Sequence, residues 1–218
     1  MNLQEAMAEA PVVAIIRGVR NEEAVEIGHA LYEAGIRIIE TPLNSPNPIE
    51  SIRLLVEALG DRAVVGAGTV LDPADVKRIA DVGGQIVVSP NTDPAVIEAS
   101  LQAGLTPLPG FGSPTEAFTA LKAGATHLKL FPASTYGLGH LKAVKEVLPP
   151  AAILMPVGGV KPEQFADWWA AGARGFGMGG DLYKAGRTPE DSAERARAAI
   201  AAIRPLVADP ALTGPGGG

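Results

Sequence analysis

Four side chains interrupt otherwise apolar runs of this 218-residue chain and are of types that do chemistry. Lys129 lies in His127-Leu128-Lys129-Leu130-Phe131-Pro132, while the other six lysines (Lys77, Lys122, Lys142, Lys145, Lys161 and Lys184) fall on polar helical faces or in loops. A lysine buried in apolar surroundings loses its proton more easily, falling from ~10.4 toward ~7 to 8, and its free amine can attack a carbonyl to form a Schiff base. Glu40, in Arg37 to Leu43, is the one carboxylate within any strand-like run. Beside an iminium it could move the protons that carbinolamine dehydration and enamine formation require. Arg17 closes Val12 to Arg17 and suits a substrate carboxylate, because its planar fork meets both oxygens. Thr69 closes Ala63 to Thr69. Each has a plainer alternative: a buried ion pair for Lys129, a salt bridge between Glu40 and Arg17, a solvated rim position for any strand end. Four such interruptions favour function, because a charge inside an apolar strand is costly unless paired or used.

The elements that must position these residues follow from hydrophobic periodicity. Short aliphatic runs read as strands at Val12 to Arg17, Arg37 to Leu43, Ala63 to Thr69, Gln85 to Pro90, Thr106 to Gly110, His127 to Pro132, Ala152 to Gly158 and Gly175 to Gly179. Amphipathic runs follow each one, at Asn21 to Ala34, Asn47 to Leu59, Pro73 to Val82, Pro94 to Ala103, Pro114 to Ala123, Leu138 to Val147, Pro162 to Ala171 and Pro189 to Val207. Six of these end at Gly35, Gly60, Gly83, Gly104, Gly124 and Gly172, where a left-handed residue stops a helix. Three start from a capping residue before proline: Asp72-Pro73, Asp93-Pro94 and Ser113-Pro114. Uniform strand-helix units with short connections require parallel strands under crossover helices, and nothing marks a reversal of strand order. The expected fold is α/β, a single (β/α)8 TIM barrel over residues 1–208, with 209–218 a flexible tail.

In such a barrel the C-terminal strand ends carry the site, and the loops after strands seven and eight commonly bind phosphate. Here those loops hold Gly158-Gly159 and Gly179-Gly180, whose backbone N–H groups could cradle an anion with no Cβ in the way. Composition removes other classes. Net charge is −6 and no run of Lys or Arg exceeds two, so there is no footprint for nucleic acid. No apolar run reaches membrane-helix length, and the start carries Glu5 and Glu9 rather than a basic, apolar leader. The absence of cysteine removes thiolate chemistry and fits a cytoplasmic protein. His29, His127 and His140 do not share helical spacing, so no metal is expected.

These segments together resemble the class I aldolases that cleave 2-keto-3-deoxy-6-phosphosugar acids. The resemblance runs through Ile15 to Gly18, Glu40 with Thr41 to Pro46, Gly66-Ala67-Gly68-Thr69, Ser89-Pro90-Asn91, Leu128 to Pro132 and Val157 to Gly159. It implies Lys129 as the Schiff-base lysine, Glu40 as the proton shuttle, and Arg17 with Thr69 on the pyruvate portion beside Pro90 and Phe131. It also assigns Gly158, Gly159, Gly179 and Gly180 to the phosphate. A small phosphorylated keto acid is the implied partner, with no cofactor, in a homo-oligomer that resembles the family's trimers. Within the family, Pro42-Leu43-Asn44, Val157, Glu116 to Leu121 and Asp181-Leu182-Tyr183 are more like the galactonate branch than the gluconate one. The resemblance leaves cleavage of the gluconate epimer, as main or additional activity, as an alternative; two further rival readings are a metal-dependent pyruvate aldolase, which needs clustered carboxylates, and a non-catalytic phosphosugar-binding barrel in which Lys129 is a phosphate counterion.

Overall fold

Runs of Val, Ile, Ala and Gly bounded by Pro, Asn and Gly are suited to strands buried on both faces, and they pair in parallel. The computed structural model describes residues 1–209 of the chain. In chain order its elements are α1 (Leu3–Glu9), β1 (Val12–Ile15), α2 (Asn21–Glu33), β2 (Ile38–Pro42), α3 (Pro48–Leu59), β3 (Val64–Gly68), α4 (Pro73–Asp81), β4 (Ile86–Val88) and α5 (Pro94–Gln102). There follow β5 (Thr106–Leu108), β6 (Gly110–Phe111), α6 (Pro114–Lys122), β7 (His127–Leu130), α7 (Ala133–Val147), β8 (Ile153–Pro156), α8 (Phe165–Ala170), β9 (Phe176–Met178) and α9 (Pro189–Ala208).

The ladders run β5-β4-β3-β2-β1-β9 and β6-β7-β8. Parallel bridges Leu154↔Ala173 and Val157↔Gly177 join β8 to the segment of β9, while β5 and β6 are one strand position interrupted at Pro109. The Pro109 carbonyl still accepts from Lys129 N–H at 2.9 Å, so the ring of eight strand positions closes there. The fold is the expected (β/α)8 barrel. The caps also form: Asp72 and Asp93 accept from the N–H groups of Ala74 and Ala95, and Ser113 makes a capping box with Glu116. The six glycines that end helices all have positive φ, from 54° at Gly60 to 109° at Gly172.

Three elements depart from the sequence reading. The expected fifth strand, Thr106 to Gly110, breaks at Pro109, which has no N–H for the ladder. Helix α7 begins at Ala133 rather than Leu138, with Gly137 (φ 75°, ψ 174°) dividing it into two pieces. The amphipathic run Pro162 to Ala171 is a 3₁₀ turn, Pro162–Gln164, followed by the short α8. The tail expected at 209–218 lies, beyond Asp209, outside the described residues.

Helix α1, unforeseen from the sequence, explains how the barrel interior is filled. Alternate strand residues point outward to the helices, as Val12, Ala14, Ile39, Val65 and Leu154 do in the larger core. The others point inward and form a second cluster, Val13, Ile38, Val64, Ile86, Val88, Leu108 and Met155, on which Leu3 and Ala6 of α1 pack. The helix plugs the N-terminal mouth of the barrel. With period-2 alternation, Glu40 follows the inward Ile38, so the floor of this plug is also the floor of the polar interior above it.

Candidate active site

Glu40 on β2 and Lys129 on β7 both point into the barrel, at 1% and 7% exposure. Glu40 is in register with Ile15 and Gly66, and Lys129 with Gly110 and Met155. Between them lies a small cavity of about 10 Å³, otherwise walled by apolar residues of β1, β4, β5 and β8 with Val157 and Gly177. The two titratable side chains thus border one small, otherwise apolar cavity. Glu40 Oε2 is buried without a hydrogen-bond partner, a deficit of about 1–3 kcal/mol that a water or substrate hydroxyl would relieve.

Burial dominates the electrostatics of both groups. It pushes the Glu40 carboxyl up to about 7, against the smaller opposing pull of Lys129 and Arg17. It pulls Lys129 below the ordinary lysine range, opposed by Glu40 and assisted by the Arg17 charge. No ion pair joins Lys129 to a carboxylate among the described residues, so the plainer reading of Lys129 is not what forms. Its Nζ instead stands 4.7 Å from the centroid of the Phe131 ring. Arg17 likewise does not bridge to Glu40: it donates to Asn44 Oδ1 and, at 3.3 Å, to Thr69 Oγ1. Thr69 holds φ 56°, a left-handed conformation that strains a β-branched residue.

Gly68, next to Thr69, has a role the sequence did not disclose. A Cβ there would sit 1.9 Å from Glu40 Oε2 and 2.3 Å from its Cδ. The carboxylate occupies the space a side chain would fill. We expect Gly68→Ala to displace Glu40 while far-UV circular dichroism stays native, and, if Glu40 moves protons in a reaction at this site, to lower its rate at least ~10-fold, since a positioned acid–base group contributes about 10²–10⁴-fold and a misplaced one forfeits much of it. Activity within twofold of wild type would show that Glu40 has room to move.

The small cavity adjoins a larger one of about 400 Å³ at the C-terminal end of the strands. Of the ten residues singled out from the sequence, Arg17, Thr69, Pro90, Lys129, Phe131, Gly158, Gly159, Gly179 and Gly180 line it, and Glu40 stands behind Lys129 in the smaller cavity. The glycine loops leave backbone donors free. Gly158 and Gly159 have φ 93° and 80°, and the N–H groups of Gly159, Val160, Gly180 and Asp181 make no hydrogen bond among the described residues. Ile15, Val160, Asp181 and Tyr183, noted in the sequence only as parts of motifs, also line the larger cavity, as do Lys184, read there as one of the polar-face or loop lysines, and Ala185, which was not singled out. Lys184 is the third cation there, its Cε 3.4 Å from where a Cβ on Gly180 would lie. Its place a few residues past the last strand was the available signal.

A buried amine that sheds its proton readily can add to a carbonyl, and the unpartnered N–H groups at the mouth can donate to an anion. The chain belongs to the KDPG and KHG aldolase family, whose profile matches residues 3–197. It is 46% identical over 197 residues to 2-dehydro-3-deoxy-6-phosphogalactonate aldolase of Escherichia coli (strain K12), covering 90% of this chain and 96% of that protein. It is 28% identical over 169 residues to the KHG/KDPG aldolase of the same organism, covering 77% and 78%. Among solved structures, one described as native KDPGal superposes with a TM-score of 0.89 at 45% identity, covering 90% of this chain and 96% of that one.

Proposed function

We propose that the chain is a class I aldolase that cleaves 2-dehydro-3-deoxy-6-phosphogalactonate to pyruvate and D-glyceraldehyde 3-phosphate. The observation that carries this is that the buried Lys129 and the buried Glu40 line one small cavity, without an ion pair to neutralise either. The Lys129 amine attacks the C2 carbonyl, and loss of water gives an iminium. Arg17 and Thr69 hold the C1 carboxylate beside it. Glu40, ionised, takes the C4 hydroxyl proton by way of a water molecule; the C3–C4 bond breaks and its electron pair passes into the iminium to give an enamine. Glyceraldehyde 3-phosphate leaves, its phosphate held by the N–H groups of the 158–160 and 179–181 loops with Lys184 alongside. The enamine takes a proton at C3, and hydrolysis of the resulting iminium frees pyruvate and Lys129. The iminium is itself the electron sink, so the scheme needs no cofactor. Among the described residues, no three His, Asp or Glu side chains cluster to hold a metal ion.

The galactonate assignment is supported by the higher identity to the galactonate relative and by Val157, which lines both cavities. A valine offers no hydroxyl to a sugar hydroxyl, which is a means of distinguishing C4 epimers. The test is the cleavage rate of the galacto and gluco epimers, each coupled to pyruvate detection; faster cleavage of the gluco epimer, or none of either, would sink the assignment. In Val157→Thr, a near-isosteric change that adds one hydroxyl, the ratio of kcat/KM for galacto over gluco substrate is expected to fall about tenfold, the worth of one hydrogen bond.

We further propose a cytoplasmic homotrimer. No described helix is long and apolar enough to cross a membrane. Phe118, Tyr136 and Leu138, on the consecutive helices α6 and α7, are exposed apolar side chains of the kind that subunit contacts cover.

A further inference from the structure

The turn after β9 is held by more than its glycines. The Gly179 carbonyl accepts from the N–H groups of Leu182 at 2.8 Å and Tyr183 at 2.9 Å, closing residues 179–183 into a tight turn. The two carbonyls between are gripped from outside the turn. Arg187 Nη1 donates to the carbonyl oxygens of Gly180 and Asp181, both at 3.2 Å, and Arg195 Nη1 donates to that of Asp181 at 3.1 Å. Neither guanidinium belongs to an ion pair among the described residues.

The consequence is geometric. In a planar trans peptide the C=O and the N–H point to opposite sides. With the Gly180 carbonyl turned to Arg187, the N–H of Asp181 faces the other way, and it is one of the N–H groups left without a partner. The next peptide is fixed at both ends, its oxygen by the two arginines and its N–H, that of Leu182, by Gly179. Gly179, Gly180 and Asp181 all line the larger cavity. Glycine rotates easily into either hand, so without the arginines the 180–181 peptide is free to flip and present its oxygen, rather than its N–H, to an anion.

We infer that Arg187 and Arg195 are positioning residues for the phosphate-binding turn, and that through it they set how strongly this chain prefers a phosphorylated substrate over the same sugar acid with a free 6-hydroxyl. The inference rests on the phosphate placement proposed above. The two charges stand behind the turn and add a positive field there, while the exposed Asp181 carboxylate works against it. A merely structural role, stapling the start of α9 to the barrel, makes a different prediction: loss of stability with equal effect on both substrates.

The experiment compares wild type with the Arg187→Gln/Arg195→Gln double variant on 6-phosphorylated and unphosphorylated substrate. KM for the phosphorylated substrate should rise about tenfold with kcat within twofold, and the ratio of kcat/KM, phosphorylated over unphosphorylated, should fall about tenfold. Arg187→Lys should recover part of that ratio, because an ammonium still donates. An unchanged ratio, or equal loss on both substrates, overturns the inference; if the double variant does not fold, Arg187→Gln alone is judged by the same ratio. Failure of the aldolase reading looks different: wild type would leave no borohydride-trapped pyruvate on Lys129. In that event calorimetric titration with inorganic phosphate decides, weaker binding by the variant supporting the positioning role and equal binding refuting it.

Discussion

Lys129→Ala is expected to abolish pyruvate release, by at least ~10⁴-fold in kcat, while leaving the protein folded. Removing a covalent nucleophile eliminates the intermediate that divides one difficult step into easier ones, and such losses are on the order of 10⁶-fold where they have been isolated. The fold should tolerate the change because Lys129 contributes no ion pair, and its buried charge is itself unfavourable. Mass spectrometry after borohydride treatment with pyruvate gives the direct reading: one reduced pyruvyl group on the peptide containing Lys129 in wild type, none in the variant. A trapped adduct on any other lysine, or full activity in Lys129→Ala, would refute the assignment. The non-catalytic alternative predicts stabilisation by phosphorylated ligand with no adduct at all.

The second large effect belongs to Glu40. Glu40→Gln keeps size and hydrogen-bonding capacity but cannot accept a proton, so kcat should fall about 10²–10⁴-fold, the usual contribution of a positioned acid–base group. Because the carboxyl is pushed up to about 7 by burial, wild-type kcat/KM should rise with pH through that region as Glu40 ionises. The acidic limb should be missing from the variant. Stability moves the opposite way. A carboxyl whose folded pKa lies above the ordinary 4.5 contributes stability that is fully present below 4.5 and lost as pH rises through about 7. Wild type should therefore lose ground to Glu40→Gln between about pH 4.5 and 7, by about 1.4 kcal/mol per pH unit and at most ~3 kcal/mol. Urea denaturation of both proteins at several pH values measures it, and a pH-independent difference would mean that Glu40 stays ionised in the fold. The same burial thus serves the chemistry and burdens the fold, an arrangement expected of a site poised to act near neutral pH.

Much of this was legible along the chain because it depends on local chemistry. Alternation of apolar residues with period 2 marked the strands, Gly at helix ends and Asp-Pro or Ser-Pro at helix starts marked the boundaries, and their uniform repetition pointed to a closed barrel. Lys129 and Glu40 stood out because a charge in an aliphatic strand is rare. What escaped had a physical cause in each case. Helix α1 is too short and too ordinary in composition to announce that it plugs a barrel mouth; only the converging inward side chains give it a surface to cover. Pro109 broke an aliphatic strand without breaking the ring, because the neighbouring ladder kept its carbonyl as an acceptor.

The sequence by itself determined the repeating architecture, the identity of the conspicuous amine and carboxylate, and the glycine loops at the ends of the last two strands. Tertiary structure alone decided how those groups meet: that Arg17 bonds Asn44 and Thr69 rather than Glu40, that Gly68 makes the space the carboxylate occupies, and that Arg187 and Arg195 reach back to the Gly180–Asp181 turn. The reason is that periodicity reports which face a side chain takes, whereas curvature of a closed sheet decides which distant faces share one low-dielectric interior. Burial there, more than any single neighbour, is what moves the protons of Lys129 and Glu40.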